Sequence, residues 1–74
     1  MSLFIPPKTI QKMKLLGISE SEVNDVFSNG EYGKSNDGSK LATKKYQGYE
    51  IGLFYKMMKS GQYMILTVWK RDRR

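Results

Sequence analysis

From Tyr49 to Lys70 the chain alternates. Tyr49, Ile51, Leu53, Tyr55 and Met57 fall on one side of an extended backbone, and Glu50, Gly52, Phe54 and Lys56 on the other. Beyond Lys59-Ser60-Gly61, Tyr63, Ile65, Thr67 and Trp69 alternate with Met64, Leu66, Val68 and Lys70. A period of two, rich in β-branched and aromatic residues, is the pattern of strands. The stretch therefore predicts a long hairpin that turns at Lys59-Ser60-Gly61. Both faces of the returning arm are apolar over much of its length, which places it inside a sheet and covered on at least one side. A lone hairpin is not stable in water, so the rest of the chain has to cover it.

Ahead of the hairpin the period lengthens. Ser2-Leu3-Phe4-Ile5 is a short apolar arm expected to tuck onto the core, and Pro6-Pro7 suits the first turn of a helix. From Lys8 to Leu16, Ile10, Met13 and Leu16 form one helical stripe with Lys8, Lys12 and Lys14 off it. Gly17 supplies a left-handed cap. Ser19-Glu20-Ser21-Glu22 then fits a capping box, with Ile18 and Val23 at the positions of a hydrophobic staple. Glu20, Glu22 and Asp25 suit the positive end of the helix dipole. Val23, Val26 and Phe27 make the stripe to be buried, and Asn29-Gly30 ends the helix.

Between that helix and the hairpin, Glu31 to Ser35 predicts a short strand interrupted by Gly33, and Asn36-Asp37-Gly38-Ser39 a tight turn. Lys40 to Tyr46 alternates Leu41, Thr43 and Lys45 against Ala42, Lys44 and Tyr46, and Gln47-Gly48 turns into the hairpin. Residues 71–74 read as a flexible basic tail that frays. The expected fold class is α+β, with two N-terminal helices packed on a four-stranded antiparallel β-meander, in a single domain over residues 1–74.

Composition narrows the chemistry. Seventy-four residues support one small core that buries about 60% of the unfolded chain's surface. There is no cysteine and no histidine, which removes thiolate metal sites, imidazole bases and the serine–histidine triad. No metal and no cofactor is expected. The opening MSLFIPPK lacks the basic and apolar regions of a secretory signal. No apolar run approaches the roughly 18–20 residues that span a bilayer, so a cytoplasmic protein without membrane contact is expected. The net charge of +6 is uneven: residues 1–37 hold four lysines against five acids, and residues 38–74 nine basic side chains against Glu50 and Asp72. A basic half of this kind steers anionic partners, nucleic acid first, and also serves as a solubilising surface.

Three groups of basic residues are candidates for an anion site. Lys40, Lys44, Lys45 and Tyr46 can hold phosphates and stack a base. Alternation sends Lys44 and Lys45 to opposite faces, however, and lysines also guard edge strands against aggregation. Lys56 and Lys59 beside Met57 and Met58 at the hairpin tip, with Lys70, Arg71, Arg73 and Arg74 of the tail, could add salt-sensitive phosphate contacts, or simply solubilise the chain. Lys8 and Lys12 lie one helical turn apart and could reach over an open sheet surface toward the same anion. No glycine-rich phosphate loop, acidic metal cluster or paired-carboxylate motif is present, and no residue is singled out as catalytic.

Lys8 to Ser19, KTIQKMKLLGIS, with the SESEV start of the second helix, resembles a family of short bacterial proteins of unknown function. Its members open with a His-Ala-x-x-Arg-Met-x-x-Arg-Gly-Ile-Ser helix followed by an acidic helix. Gly30-Glu31 matches a turn of that family, and Leu66-Thr67-Val68-Trp69 its final strand; the resemblance covers about residues 8–70. The family is similar to the α+β scaffold of RelE-like toxins, barnase-like nucleases and colicin-type tRNA nucleases. The resemblance implies RNA lying across the sheet, with basic residues on it facing the scissile phosphate. Here Lys8 replaces the family's histidine, and Lys12 and Leu16 its two arginines. Loss of the histidine removes the obvious general base.

The expectation is thus a small basic, non-catalytic binding protein on a RelE-like ribonuclease scaffold, with RNA or another anionic partner. Two alternatives stand beside it. One is an atypical, metal-independent RelE-like ribonuclease. The other is a phage- or plasmid-type inhibitor that binds an acidic protein.

Overall fold

Pro6 has an extended backbone, and Pro7, with its preset φ and missing N–H, opens α1 (Pro7–Leu16). Gly17 closes it in the left-handed conformation (φ 73°), its N–H bonded to Lys14 O, while the Ile18 N–H bonds to Met13 O. In this computed structural model, which describes residues 3–34 and 38–72, α2 (Glu20–Asn29) starts on the capping box expected of it. The Ser19 hydroxyl accepts from the Glu22 N–H at 3.1 Å, and the Glu22 carboxylate accepts from the Ser19 N–H at 3.0 Å.

Five strands follow the order β1-β5-β4-β3-β2: β1 (Leu3–Phe4), β2 (Glu31–Lys34), β3 (Lys40–Tyr46), β4 (Tyr49–Met57) and β5 (Tyr63–Asp72). The α+β class and the two helices stand as expected, but the sheet is five-stranded and mixed rather than four-stranded and antiparallel. The difference is the apolar arm. Leu3 and Phe4 pair in parallel with Tyr63 and Met64, so the arm forms an edge strand rather than only resting on the core. Two residues are too few to show a period, and only their partner strand makes them β.

A second correction concerns β5. Phe54 pairs with Thr67 but Tyr55 with Ile65, so Leu66 is an extra residue in a β-bulge. The bulge resets the alternation. Ile65 and Val68 both reach 0% exposure on the helix side, while Thr67 and Trp69 pair with Phe54 and Gly52 on the opposite side. The strand also runs through Arg71 and Asp72, which pair with Glu50 and Tyr49 instead of fraying. Arg73 and Arg74 lie outside the described residues, as do Ser35, Asn36 and Asp37 of the expected β2 end and β2–β3 turn.

The core lies between the helices and one face of the sheet. Met13, Ile18, Val23, Val26 and Phe27 pack on Ala42, Ile51, Leu53, Tyr55, Ile65 and Val68. In α1 the most deeply buried side chains are Thr9 and Met13, with Ile10 and Leu16 only half-buried. Thr9 is explained by the bulge: its hydroxyl lies 3.1 Å from the carbonyl oxygens of both Ile65 and Leu66, which β1 is too short to reach. Gly30 allows the end of α2 to approach β3, since a Cβ there would stand 2.4 Å from Val26 O and 2.5 Å from Thr43 O. No described helix is long and apolar enough to cross a membrane.

Candidate functional site

The side of the sheet facing away from the helices is not covered by any described element. Register places Thr43 and Lys45 of β3, Glu50, Gly52 and Phe54 of β4, and Thr67, Trp69 and Arg71 of β5 on it. Its centre is the indole of Trp69, which lies on Gly52. A Cβ at Gly52 would stand 2.2 Å from Trp69 Cε2 and Cζ2, so only glycine lets the ring come this close to the backbone. Trp69 remains half-buried, and the half-buried Phe54 and Leu41 continue the apolar surface beside it.

Polar groups rim this ring. Arg71 sits with its guanidinium carbon 5.7 Å from the Trp69 ring centre. It donates from Nε to Glu50 Oε1 at 2.9 Å and reaches the same oxygen from Nη2 at 2.9 Å. Glu50 is thereby held at 5% exposure, a buried charge that requires such a partner. Lys45 is directly opposite Glu50 on β3 and exposed. From the other flank, Lys12 of α1 donates to Thr67 Oγ1 at 3.2 Å. One aromatic face thus carries three cationic side chains, Lys12, Lys45 and Arg71, against one carboxylate.

The helix side holds the other basic candidates in a different state. Lys44 contacts Asp25 Oδ2 at 2.6 Å, and the Tyr46 hydroxyl donates to the same oxygen at 2.6 Å. Tyr46 stacks on Tyr49 with ring centres 5.0 Å apart, and Tyr49 donates to Glu22 at 3.1 Å. The Lys70 ammonium lies 4.7 Å over the Tyr49 ring. The hydrogen bond from Lys44, then those from Tyr46 and Asn29, hold the Asp25 carboxyl well below the usual carboxylate range. Burial first, and the bond to Asp25 second, push the Tyr46 phenol up. Much of the charge contrast between the two halves of the chain is therefore spent inside the fold, the acids of α2 facing the lysines of the sheet.

Of the basic residues singled out from the sequence, Lys12, Lys45 and Arg71 gather on the uncovered face. Lys44, Tyr46 and Lys70 form the cluster over α2, on the opposite side of the sheet. Lys8 is exposed on α1, one turn before Lys12, and Arg73 lies outside the described residues. Sequence reasoning missed Trp69, Gly52, Glu50 and Thr67. A glycine inside a strand marks a close approach, which was a usable signal for Gly52. Its partner was not readable: counted from the Met57–Tyr63 pair without a bulge, Gly52 falls opposite Val68 rather than Trp69.

Among the described residues no group of three or more acidic side chains could hold a metal ion. Compared with known protein families, curated proteins and solved structures, the chain finds no match.

Proposed function

We propose that the domain binds single-stranded RNA across the uncovered face of its sheet and does not cleave it. The observation that carries this reading is the Trp69 indole, set close against Gly52 on the face that also carries Lys12, Lys45 and Arg71. An aromatic face for a base beside cations for the backbone is the usual means of holding single strands without sequence preference. Lys44 and Lys70 of the helix side support the choice of face by contrast, since Asp25 and Glu22 already lie beside them. The test is quenching of Trp69 fluorescence by a short oligoribonucleotide. Trp69 is the only tryptophan, so quenching reports this face alone. Quenching lost in Lys45→Gln and Arg71→Gln supports the reading, and a fluorescence indifferent to RNA at low salt refutes it.

A second reading draws on Glu50. A carboxylate, a guanidinium and the Lys45 ammonium in one row supply groups that could accept a proton and stabilise a phosphorane. Glu50 is nearly buried, however, and its Oε1 is already taken by Arg71, which favours binding over turnover. Metal-free RNA cleavage that disappears in Glu50→Gln would reverse the order of the two readings.

A further inference from the structure

On the helix side, beyond the end of α2, an open cleft of about 400 Å³ remains between the helix and the sheet. Phe27, Tyr32, Tyr55 and Tyr63 form its walls, and Lys34 and Lys40 line it as well. Its volume lies at the lower end of the range for small-molecule sites, about 300–1,000 Å³. The walls are a connected aromatic set. Phe27 and Tyr55 meet edge to face at 4.9 Å, Tyr55 and Tyr63 at 5.7 Å, and Tyr32 and Tyr55 at 6.4 Å. Tyr32 is fixed by the hydrogen bond from its hydroxyl to the Phe27 carbonyl. Burial pushes the Tyr55 phenol up.

The lysines supply a second, independent observation. Lys34 and Lys40 are direct cross-strand partners of β2 and β3, and both are exposed. Like charges directly opposite one another destabilise a sheet. Neither has an acidic partner in its own register pair, unlike Lys45 opposite Glu50. Two lysines at one cross-strand position, both lining the cleft, match a group that brings two negative charges between them. A phosphate monoester carries about −1.5 to −2 at neutral pH, whereas a carboxylate carries one. Rings behind and paired cations in front define an aromatic body with a phosphate on it.

We infer that the cleft between α2 and the β2–β3 end of the sheet binds a nucleoside monophosphate unit, its base against Tyr55 and Tyr63 and its phosphate between Lys34 and Lys40. The unit is either a free mononucleotide or the phosphorylated end of an RNA strand, which present the same chemistry. The site lies across the sheet from Trp69 and does not depend on the reading of the uncovered face.

The test is a titration of the ¹⁵N-labelled protein with AMP, followed by backbone resonances. AMP at millimolar concentration is expected to shift Phe27, Gly33, Lys40 and Tyr63 and to leave Trp69 in place. Adenosine and inorganic phosphate should each bind at least tenfold more weakly than AMP. The Lys34→Gln/Lys40→Gln double variant, whose residues are exposed and whose fold should persist, should also lose at least tenfold. Trp69→Ala, by contrast, should bind AMP normally even where it no longer binds RNA. A 5′-phosphorylated trinucleotide that moves the same resonances in Trp69→Ala identifies an RNA end as a ligand source; AMP acting alone identifies the free nucleotide. Resonances of the cleft that do not respond overturn the inference. Adenosine or phosphate matching AMP overturns it too, because one half of the recognition would then contribute nothing.

Discussion

Tyr46 donates its hydroxyl hydrogen to Asp25 across 2.6 Å, and so ties the end of β3 to the flank of α2. Lys44 grips the same carboxylate oxygen from one side. Asn29 donates to the other oxygen from one helical turn away. The arrangement holds a carboxylate in its charged form and a phenol in its neutral form, and each state depends on the other.

That dependence sets a pH window. Asp25 is lowered by Lys44 first, and Glu22 by the Ser19 backbone N–H first. At acid pH the unfolded chain binds more protons than the folded one, so both contribute stability that is present above about pH 4 and lost as pH falls. Tyr46 and Tyr49 are raised, by burial and by the bond to Glu22 respectively. Their contribution is complete below about pH 10 and is lost as pH rises further. Melting temperature measured from pH 2.5 to 11 should therefore fall at both ends. In Asp25→Asn the acid fall should be shallower; an identical acid limb would show that Asp25 is not linked to folding.

Thr9→Val keeps the shape of a side chain that is 3% exposed but removes the hydroxyl shared by the Ile65 and Leu66 carbonyls. Leaving a buried acceptor unpaired costs about 1–3 kcal/mol. For a domain of this size that corresponds to a loss of roughly 4–8 °C in melting temperature for each kcal/mol. Urea denaturation monitored by circular dichroism reads it directly, and an unshifted midpoint would dismiss the role given to Thr9.

Ser19→Ala removes the acceptor of the Glu22 N–H. The loss of such a cap is worth about 1 kcal/mol, and Ser19→Asp, which retains an acceptor, should recover most of it. Thermal melts of the two variants side by side distinguish a cap from a general effect of mutation at this position.

Gly52→Ala drives a methyl group into the Trp69 ring. Overpacking of this kind costs about 1–3 kcal/mol, and the indole must tilt off the sheet. A red shift and altered quenching of Trp69 emission are expected, with weaker RNA binding. Emission and RNA affinity that match the parent protein would mean the ring does not need its seat on the glycine.

Three cations on the uncovered face also fix a salt dependence. With about −0.7 per phosphate neutralised, log affinity for single-stranded RNA should change against log salt with a slope of about −2. Affinity should then fall about 20-fold between 50 and 200 mM salt. Lys12→Gln should reduce the slope by about 0.7, while Lys44→Gln, on the far side of the sheet, should leave it alone. A slope near zero removes the electrostatic basis of the proposal.

Local signals were legible wherever a residue acts on its own neighbourhood. Pro7, Gly17, the Ser19–Glu22 box and the alternation of β3 and β4 all depend on contacts within a few residues. What escaped depends on pairing across the sheet. β1 is a strand only because β5 lies beside it, and Arg71 belongs to β5 because Glu50 holds it. Leu66 is one extra residue in a run of apolar ones, and nothing in that run marks where the alternation slips. The slip decides which side of the sheet Trp69 occupies. The centre of the candidate interface was therefore hidden, while its flanking lysines, being exposed and charged, were easy to see.

The Thr9 clasp has a consequence for how the domain comes into being. Its partner carbonyl on Ile65 is 56 residues further along the chain, and β1 likewise waits for Tyr63 and Met64. At about 5–20 residues per second, a ribosome delivers β5 seconds after α1 has left the tunnel. During that interval Met13, Ile10 and Leu3 have no sheet to rest on, and α1 is held by little more than its own caps. Within this domain, α1 and β1 are thus made early and fastened late, once β5 has been delivered.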